Sequence, residues 1–335
     1  MKNNYYSSQI KSMEYKNAAQ LFSFLENNDI DLHSLLIYKE GSVVFERYYG
    51  IADGGRTAGM PNSPYVLHRM YSITKSVTAI AIGILAKEGQ ISLSDRIVDY
   101  YPQIIKYREF EGNVLSKDDF SEALLKTRIE DLLSMRSCHT KTTYKVNMEN
   151  DWVNSFFEIP TDKMPGEKFN YDTSAYHVLG ALVEMIAGMD PWTLIKNRMP
   201  MLELSDASYI IKDPFGVNAG GDGLMCTPRD LLSFGKMILE GGKYNGTVLI
   251  DEDYVSKAVS KIVNTDNTAK YPFEANGYGY GFWRHEHNGY MCYGMHGQFI
   301  FFLPQEDMII ITTSDTSRVK SGIQILLDGI YDYCV

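Results

Sequence analysis

Several features that mark large protein classes are scarce or missing in this chain. Its four cysteines, Cys138, Cys226, Cys292 and Cys334, lie far apart and include no C-x-x-C pair. That spacing argues against a disulfide framework and fits free thiols in a reducing compartment. Basic residues are outnumbered, 32 Lys and Arg against 42 Asp and Glu, giving a formal net charge of −10. A chain of that sign has no general attraction for nucleic acid or an anionic membrane, and no basic run supplies a local one. No apolar stretch reaches the length of about 20 residues that a membrane span needs. The opening segment, MKNNYYSSQIKSMEYKNAAQLF, has early lysines but no apolar core of signal-peptide length. These absences lead us to expect a cytoplasmic protein with no nucleic-acid or membrane partner; they leave the oligomeric state open. A G-x-S-x-G elbow is also absent, which removes the main support for an α/β-hydrolase.

What is present is an ordinary globular composition. Hydrophobic residues make up 44% and charged residues 22% of 335, enough to bury a sizeable core. No repeat or Pro/Ser-rich linker divides the chain. NAAQLFSFLEN (17–27) has amphipathic helical spacing, and HSLLIYKEGSVVFERYYG reads as two strands around the turn Lys39-Glu40-Gly41-Ser42. The middle is helical in pattern: RIEDLLSM, AYHVLGALVEMIAG and TPRDLLSFGKMILEGG, with start signals at Ser174 and Thr227-Pro228. Strand character returns in YGYGFWRHE, QFIFFLP and DMIIITTS, with Pro304-Gln305-Glu306-Asp307 turning between the last two. SGIQILLDGIYDYC closes the chain as an amphipathic helix. The expected architecture is α+β. A mixed, mostly antiparallel sheet is built from residues 1–95 and 275–335, and a mainly helical region, 96–274, is inserted between its halves. An active-site cleft is expected where the two meet.

Chemistry enters through MYSITKSVTAIAIGILAKEGQ (70–90), which places Ser72 and Lys75 at the head of a helix apolar on nearly every face. Ser-x-x-Lys alone says little, for it occurs at Ser8/Lys11, Ser72/Lys75, Ser233/Lys236 and Ser317/Lys320. Physical context separates them. Ser8 lies in a polar terminal tail, Ser233 inside an amphipathic helix and Ser317 in a polar loop. Ser72 stands at a helix start, where free N–H groups and the helix dipole favour developing negative charge. Lys75 follows on the same face, among Ile73, Val77, Ala79, Ile80 and Ile82, where desolvation lowers its pKa toward proton-transfer range. A structural alternative is that Lys75 snorkels to solvent while Ser72 caps the helix.

Two later segments offer partners. Tyr171-Asp172-Thr173 sits between a Pro-Gly turn and a helix start, and His296-Gly297-Gln298 leads into a strand. In this order the three segments resemble the serine hydrolases related to class C β-lactamases and penicillin-binding proteins, a group that includes esterases, D-amino-acid peptidases and 6-aminohexanoate-oligomer hydrolases. Ser72-Ile73-Thr74-Lys75 matches the group's S-x-x-K. Tyr171-Asp172-Thr173 matches its Y-x-N or Y-x-S in part, and His296-Gly297-Gln298 matches its K-T-G or H-x-G loosely. ILAKEGQISLSDRIVDYYP, TRIEDLLSMRS, AGGDGLMCTPRDLLSFGKMILEGG and NGYGYGFW also look like family segments, so the likeness spans roughly residues 30–335.

The resemblance implies a β-lactamase/transpeptidase-like fold with Ser72 as acyl-accepting nucleophile. Lys75 would receive or relay its proton, and Tyr171 would serve as base and acid, with Lys75 supplying the field that lets the phenol ionise. The oxyanion would rest on the N–H of Ser72 and one from Gln298 or Phe299. Thr173, His296 and Gly297 would complete the substrate side, with no metal or organic cofactor. Thr173 replaces the usual amide or serine, and the lysine of K-T-G is missing. Both departures turn the expectation from β-lactams toward a small ester or amide, with β-lactamase or D-amino-acid peptidase, or a silent ligand-binding protein, as the alternatives. His285, His287, Cys292 and His296 fall close together but match no metal-ligand spacing. The glycines of NAGGDGL and NGYGYGF lack the strand–loop–helix setting that phosphate binding requires.

Overall fold

The computed structural model describes residues 18–52, 59–106, 114–145, 151–285, 288–319 and 321–334. In chain order its strands are β1 (Asp31–Lys39), β2 (Ser42–Tyr48), β3 (His68–Arg69), β4 (Tyr209–Ile210), β5 (Leu224–Cys226), β6 (Lys243–Tyr244), β7 (Thr247–Val248), β8 (Trp283–Arg284), β9 (Tyr290–Gly294), β10 (Gln298–Leu303) and β11 (Met308–Asp315). The helices of eight residues or more are α1 (Ala18–Asn27), α2 (Ile73–Lys87), α3 (Thr173–Ala187), α4 (Pro191–Arg198), α5 (Pro228–Leu239) and α6 (Gly322–Cys334).

The two ends of the sequence build one sheet. β1 is buried from Leu32 to Tyr38, so both of its faces are covered. The hairpin turn, Glu40-Gly41, has φ of 47° and 82°, the doubly left-handed backbone that lets a two-residue loop follow the strand twist. β1's other edge pairs with β11 from the far end of the chain, and the six-stranded order is β2-β1-β11-β10-β9-β8, with every pair antiparallel. QFIFFLP and DMIIITTS form β10 and β11 as their pattern requires. YGYGFWRHE does not run as a full strand. Gly277 and Gly281, at φ 112° and 80°, bend the backbone, and only Trp283–Arg284 pairs as β8.

Between these strands lie α2 to α5, several shorter helices and the small sheet β3-β5-β4. One amendment to the division at 96–274 is needed. α5 lies within that range yet packs on the sheet, so tightly that a methyl group on Gly235 would fall 3.3 Å from Ile300 and 3.5 Å from Ile309. Among the described residues, no single helix is long and apolar enough to cross a membrane.

At the centre is α2, buried continuously from Ile73 to Leu85. Four of those buried residues are polar, and each must find a partner. Thr74 Oγ1 donates to the Tyr71 carbonyl at 2.6 Å, Ser76 Oγ to Gly281 at 2.5 Å, Thr78 Oγ1 to Gly220 at 2.7 Å and Lys75 Nζ to Gly221 at 2.7 Å. The two glycine-rich loops of the sequence are therefore clasps on the central helix. Gly220 itself touches Gly180 of α3 backbone to backbone: a Cβ on Gly220 would lie 2.7 Å from Gly180 Cα.

Candidate active site

Ser72 is the residue before α2, with φ −68° and ψ −5°, and its side chain makes no capping hydrogen bond. The hydroxyl instead accepts from Lys75 Nζ at 3.0 Å. The residue before it, Tyr71, holds φ 45°, a left-handed backbone that is costly for a bulky side chain and common at functional turns. Lys75 does not snorkel: it is 1% exposed. Burial pulls its ammonium from an ordinary 10.5 down to about 8, while the carboxylates of Asp222 and Asp172 hold it up. The lysine therefore titrates near physiological pH, in hydrogen-bond contact with the serine.

Tyr171 precedes α3, whose start is fixed by a buried cap. Asp172 rather than Ser174 is that cap: its carboxylate accepts from Ser174 N at 2.8 Å and Ser174 Oγ at 2.5 Å. Burial raises the Asp172 pKa against the pull of those hydrogen bonds. The phenol of Tyr171 faces the Ser72 side chain across the cleft floor, and Lys75 Nζ lies over its ring, 4.9 Å from the centroid. The side chain keeps 37% of its surface open to the cleft. Even so, the protein packed around the hydroxyl raises its pKa above the ordinary value, opposed by the neighbouring Ser72 hydroxyl. A resting tyrosinate is thus disfavoured, contrary to the expected effect of Lys75. Thr173 joins the first turn of α3, its N–H bonded to Thr142 Oγ1 at 3.0 Å and its methyl against Gly221. It stands behind Lys75's carbonyl acceptor, apart from the residues lining the cleft.

The third element is displaced from its expected place. β10 is an interior strand, so the backbone groups of Gln298 and Phe299 serve the ladders to β9 and β11. Phe299 is fully buried, and the Gln298 amide donates inward to Ser314 O at 2.7 Å and Met295 O at 3.2 Å. The Gly297 carbonyl is likewise spent, on Thr312 Oγ1 at 2.9 Å and Ser314 Oγ at 3.1 Å. Only His296 of that group lines the cleft, at φ 66° with its ring edge-on to Tyr71. The segment beside the nucleophile is Tyr293-Gly294-Met295, at the end of β9. Gly294 presses on the chain leading to Ser72, where a Cβ would lie 2.2 Å from Met70 O. Tyr293 and Met295 line the cleft with Ser72 and Tyr171. Among the described residues, no hydrogen bond engages the backbone N–H of Ser72 or Met295.

The cleft encloses about 680 Å³. Its walls are aromatic: Tyr171 stacks on Trp283 at 5.7 Å, Phe169 meets Trp283 edge-on at 5.7 Å, and Tyr271 and Tyr293 also line it. The other Ser-x-x-Lys pairs do not enter it as pairs. Lys236 sits over Tyr38 and Tyr244 on α5. Ser317 lines the rim, while Lys320, Ser8 and Lys11 lie outside the described residues, as does His287. His285 turns away to Tyr331, its Nδ1 2.7 Å from that hydroxyl. Among the described residues, no three His, Cys, Asp or Glu side chains gather to hold a metal.

A serine at the head of a buried helix, with a desolvated lysine and a tyrosine in contact with it, defines the site as that of a serine hydrolase. The chain belongs to the Beta-lactamase family, whose profile matches residues 24–323. It is 24% identical over 304 residues to the 6-aminohexanoate-dimer hydrolase of Paenarthrobacter ureafaciens, covering 86% of this chain and 75% of that one. Its fold is shared by a penicillin-binding protein homologue from Caulobacter crescentus, with TM-score 0.73, 15% identity and coverage of 97% and 99% of the two chains. It is shared as well by EstCE1, described as a hydrolase with promiscuous acyltransferase activity, with TM-score 0.71, 16% identity and coverage of 96% and 100%.

Proposed function

We propose that this serine hydrolase cleaves an ester or amide through an acyl-enzyme on Ser72. The observation that carries the reading is the Lys75–Ser72 contact of 3.0 Å, made by a lysine that burial brings to about 8. Lys75 in its neutral form takes the Ser72 proton as Oγ attacks the carbonyl carbon. The oxyanion forms against the N–H groups of Ser72 and Met295. Tyr171, kept protonated, hands its proton to the leaving group and is reprotonated by Lys75 with the proton taken from Ser72. Water then attacks the acyl carbon, gives its proton to Lys75, now neutral again, and Lys75 passes it to Ser72 Oγ as the acid product leaves. The aryl walls and the absence of a lysine on β9 favour an ester or linear amide over a β-lactam with its ring carboxylate.

The test is labelling with a serine-directed phosphonate, followed by turnover of short-chain aryl esters, linear and D-amino-acid amides and a chromogenic cephalosporin. Wild type should label and Ser72→Ala should not, with esters or amides turned over faster than the cephalosporin. Full turnover by Ser72→Ala would sink the mechanism.

A further inference from the structure

One carboxylate and one ammonium of the described residues line the cleft, the first buried and the second exposed. Glu274 is the single carboxylate among the described residues that line it, and it is 8% exposed. Its Oε2 accepts the Lys270 N–H at 2.7 Å and the Tyr271 N–H at 3.4 Å. Oε1 has no protein partner among the described residues, yet it is not sealed off from solvent. Burial raises the Glu274 pKa, while the backbone N–H groups and Lys270 lower it. Lys270 also lines the cleft and its charge favours the Glu274 carboxylate, but it bonds Glu274 through its backbone N–H and no ion pair joins its ammonium to this oxygen. Lys270 is exposed, so water screens its ammonium. Lys75 is committed to Ser72 Oγ and Gly221 O beneath the floor. His296 stands across the cleft, 3.8 Å from Asp315. Tyr271, Tyr293, Tyr171 and Trp283 surround the remaining space. A buried carboxylate with one free oxygen inside aromatic walls is the chemistry that holds an alkylammonium, through charge and through the ring quadrupoles.

We propose that Glu274 and these aromatic rings form a subsite for an organic cation, so that the substrate is an ester or amide carrying an alkylammonium group. This rests on the hydrolase reading of the cleft. An anionic or neutral substituent would leave the Glu274 oxygen desolvated and unpaired, which works against it.

The experiment compares a choline ester with the 3,3-dimethylbutyl ester of the same acid, which keeps the shape and lacks the charge. Wild type should favour the choline ester by about tenfold or more in kcat/KM, and Glu274→Gln should bring that ratio near one. Gln retains an oxygen for the two backbone N–H groups, and Tyr271→Leu, which should also lower the ratio, serves if Glu274→Gln does not fold. Calorimetry on Ser72→Ala with butyltrimethylammonium against 3,3-dimethylbutanol reads the subsite without turnover. Cation binding lost in Ser72→Ala/Glu274→Gln supports the subsite even if neither ester is hydrolysed, an outcome that would count against ester cleavage alone. Equal binding of the two probes, or a ratio unchanged by Glu274→Gln, overturns it.

Discussion

Lys75 should leave a signature in stability as well as in rate. Replacing it with Met keeps the length of the side chain in a site where Lys75 is 1% exposed. In the folded protein the ammonium gives up its proton near pH 8, and in the unfolded chain near 10.5. Between those values the unfolded state binds more protons, so unfolding free energy rises with pH. The cost of holding the charge in the core is fully present below pH 8 and is gone above 10.5. At 1.36 kcal/mol per pH unit over that interval, it amounts to about 3 kcal/mol. Hydrogen bonds lost at Ser72 Oγ and Gly221 O add an offset that does not follow this titration. Other groups that titrate in this range are common to both proteins and cancel in the difference. Urea unfolding of wild type and Lys75→Met from pH 7 to 10.5 should therefore give a stability difference that moves in favour of wild type by about 3 kcal/mol. Ester turnover by wild type should climb along the lower part of the same range, with an inflection near pH 8. A flat difference would refute the desolvated lysine, and with it the argument that Lys75 is poised as the base.

Asp222 is the first carboxylate that supports the charge on Lys75. Asp222→Asn should move the acid limb of the pH–rate profile to lower pH while leaving Ser72 labelling intact, and a shift toward higher pH would contradict the assignment. Met295→Pro removes one N–H from the oxyanion site and should lower kcat by about 10²–10³, read with an aryl ester at matched folded content. Gly294→Ala forces a methyl group against Met70 O, a backbone atom that cannot rotate aside. It should lower the melting temperature and depress activity; a variant as stable and active as wild type would show that the approach of β9 to the nucleophile turn is looser than described. Tyr171→Phe should reduce kcat by about 10²–10⁴ with KM little changed.

How legible was this in the sequence? The hairpin at Glu40-Gly41, the buried helix after Ser72, and the strands of QFIFFLP and DMIIITTS follow from local pattern and turn chemistry, and they are where the structure has them. Ser72 and Lys75 could be chosen from four equivalent pairs because helix-head position and burial are written in the neighbouring residues. The third element could not. His296-Gly297-Gln298 carries the composition of a motif, but which residue faces the nucleophile depends on the β9–β10 register, a non-local quantity. Tyr293-Gly294-Met295 has no distinctive chemistry, and its one local signal is a glycine at a strand end. Glu274 was hidden for a similar reason, because its free oxygen is a property of the packed loop. α5 reads as an ordinary amphipathic helix, and nothing along the chain says which layer its apolar face will meet.

β11 lies between β1 and β10, so the two halves of the sheet are joined through residues 308–315. Ser72, Lys75 and Tyr171 are all translated long before that strand exists, and such distant pairing is slow to close. A nascent chain therefore carries the complete set of reactive groups while lacking the wall that aims them at a carbonyl. A product truncated before Met308 should therefore be inert toward esters even though it contains every group named in the acyl-transfer step, and ester turnover by that product would contradict the dependence on β11.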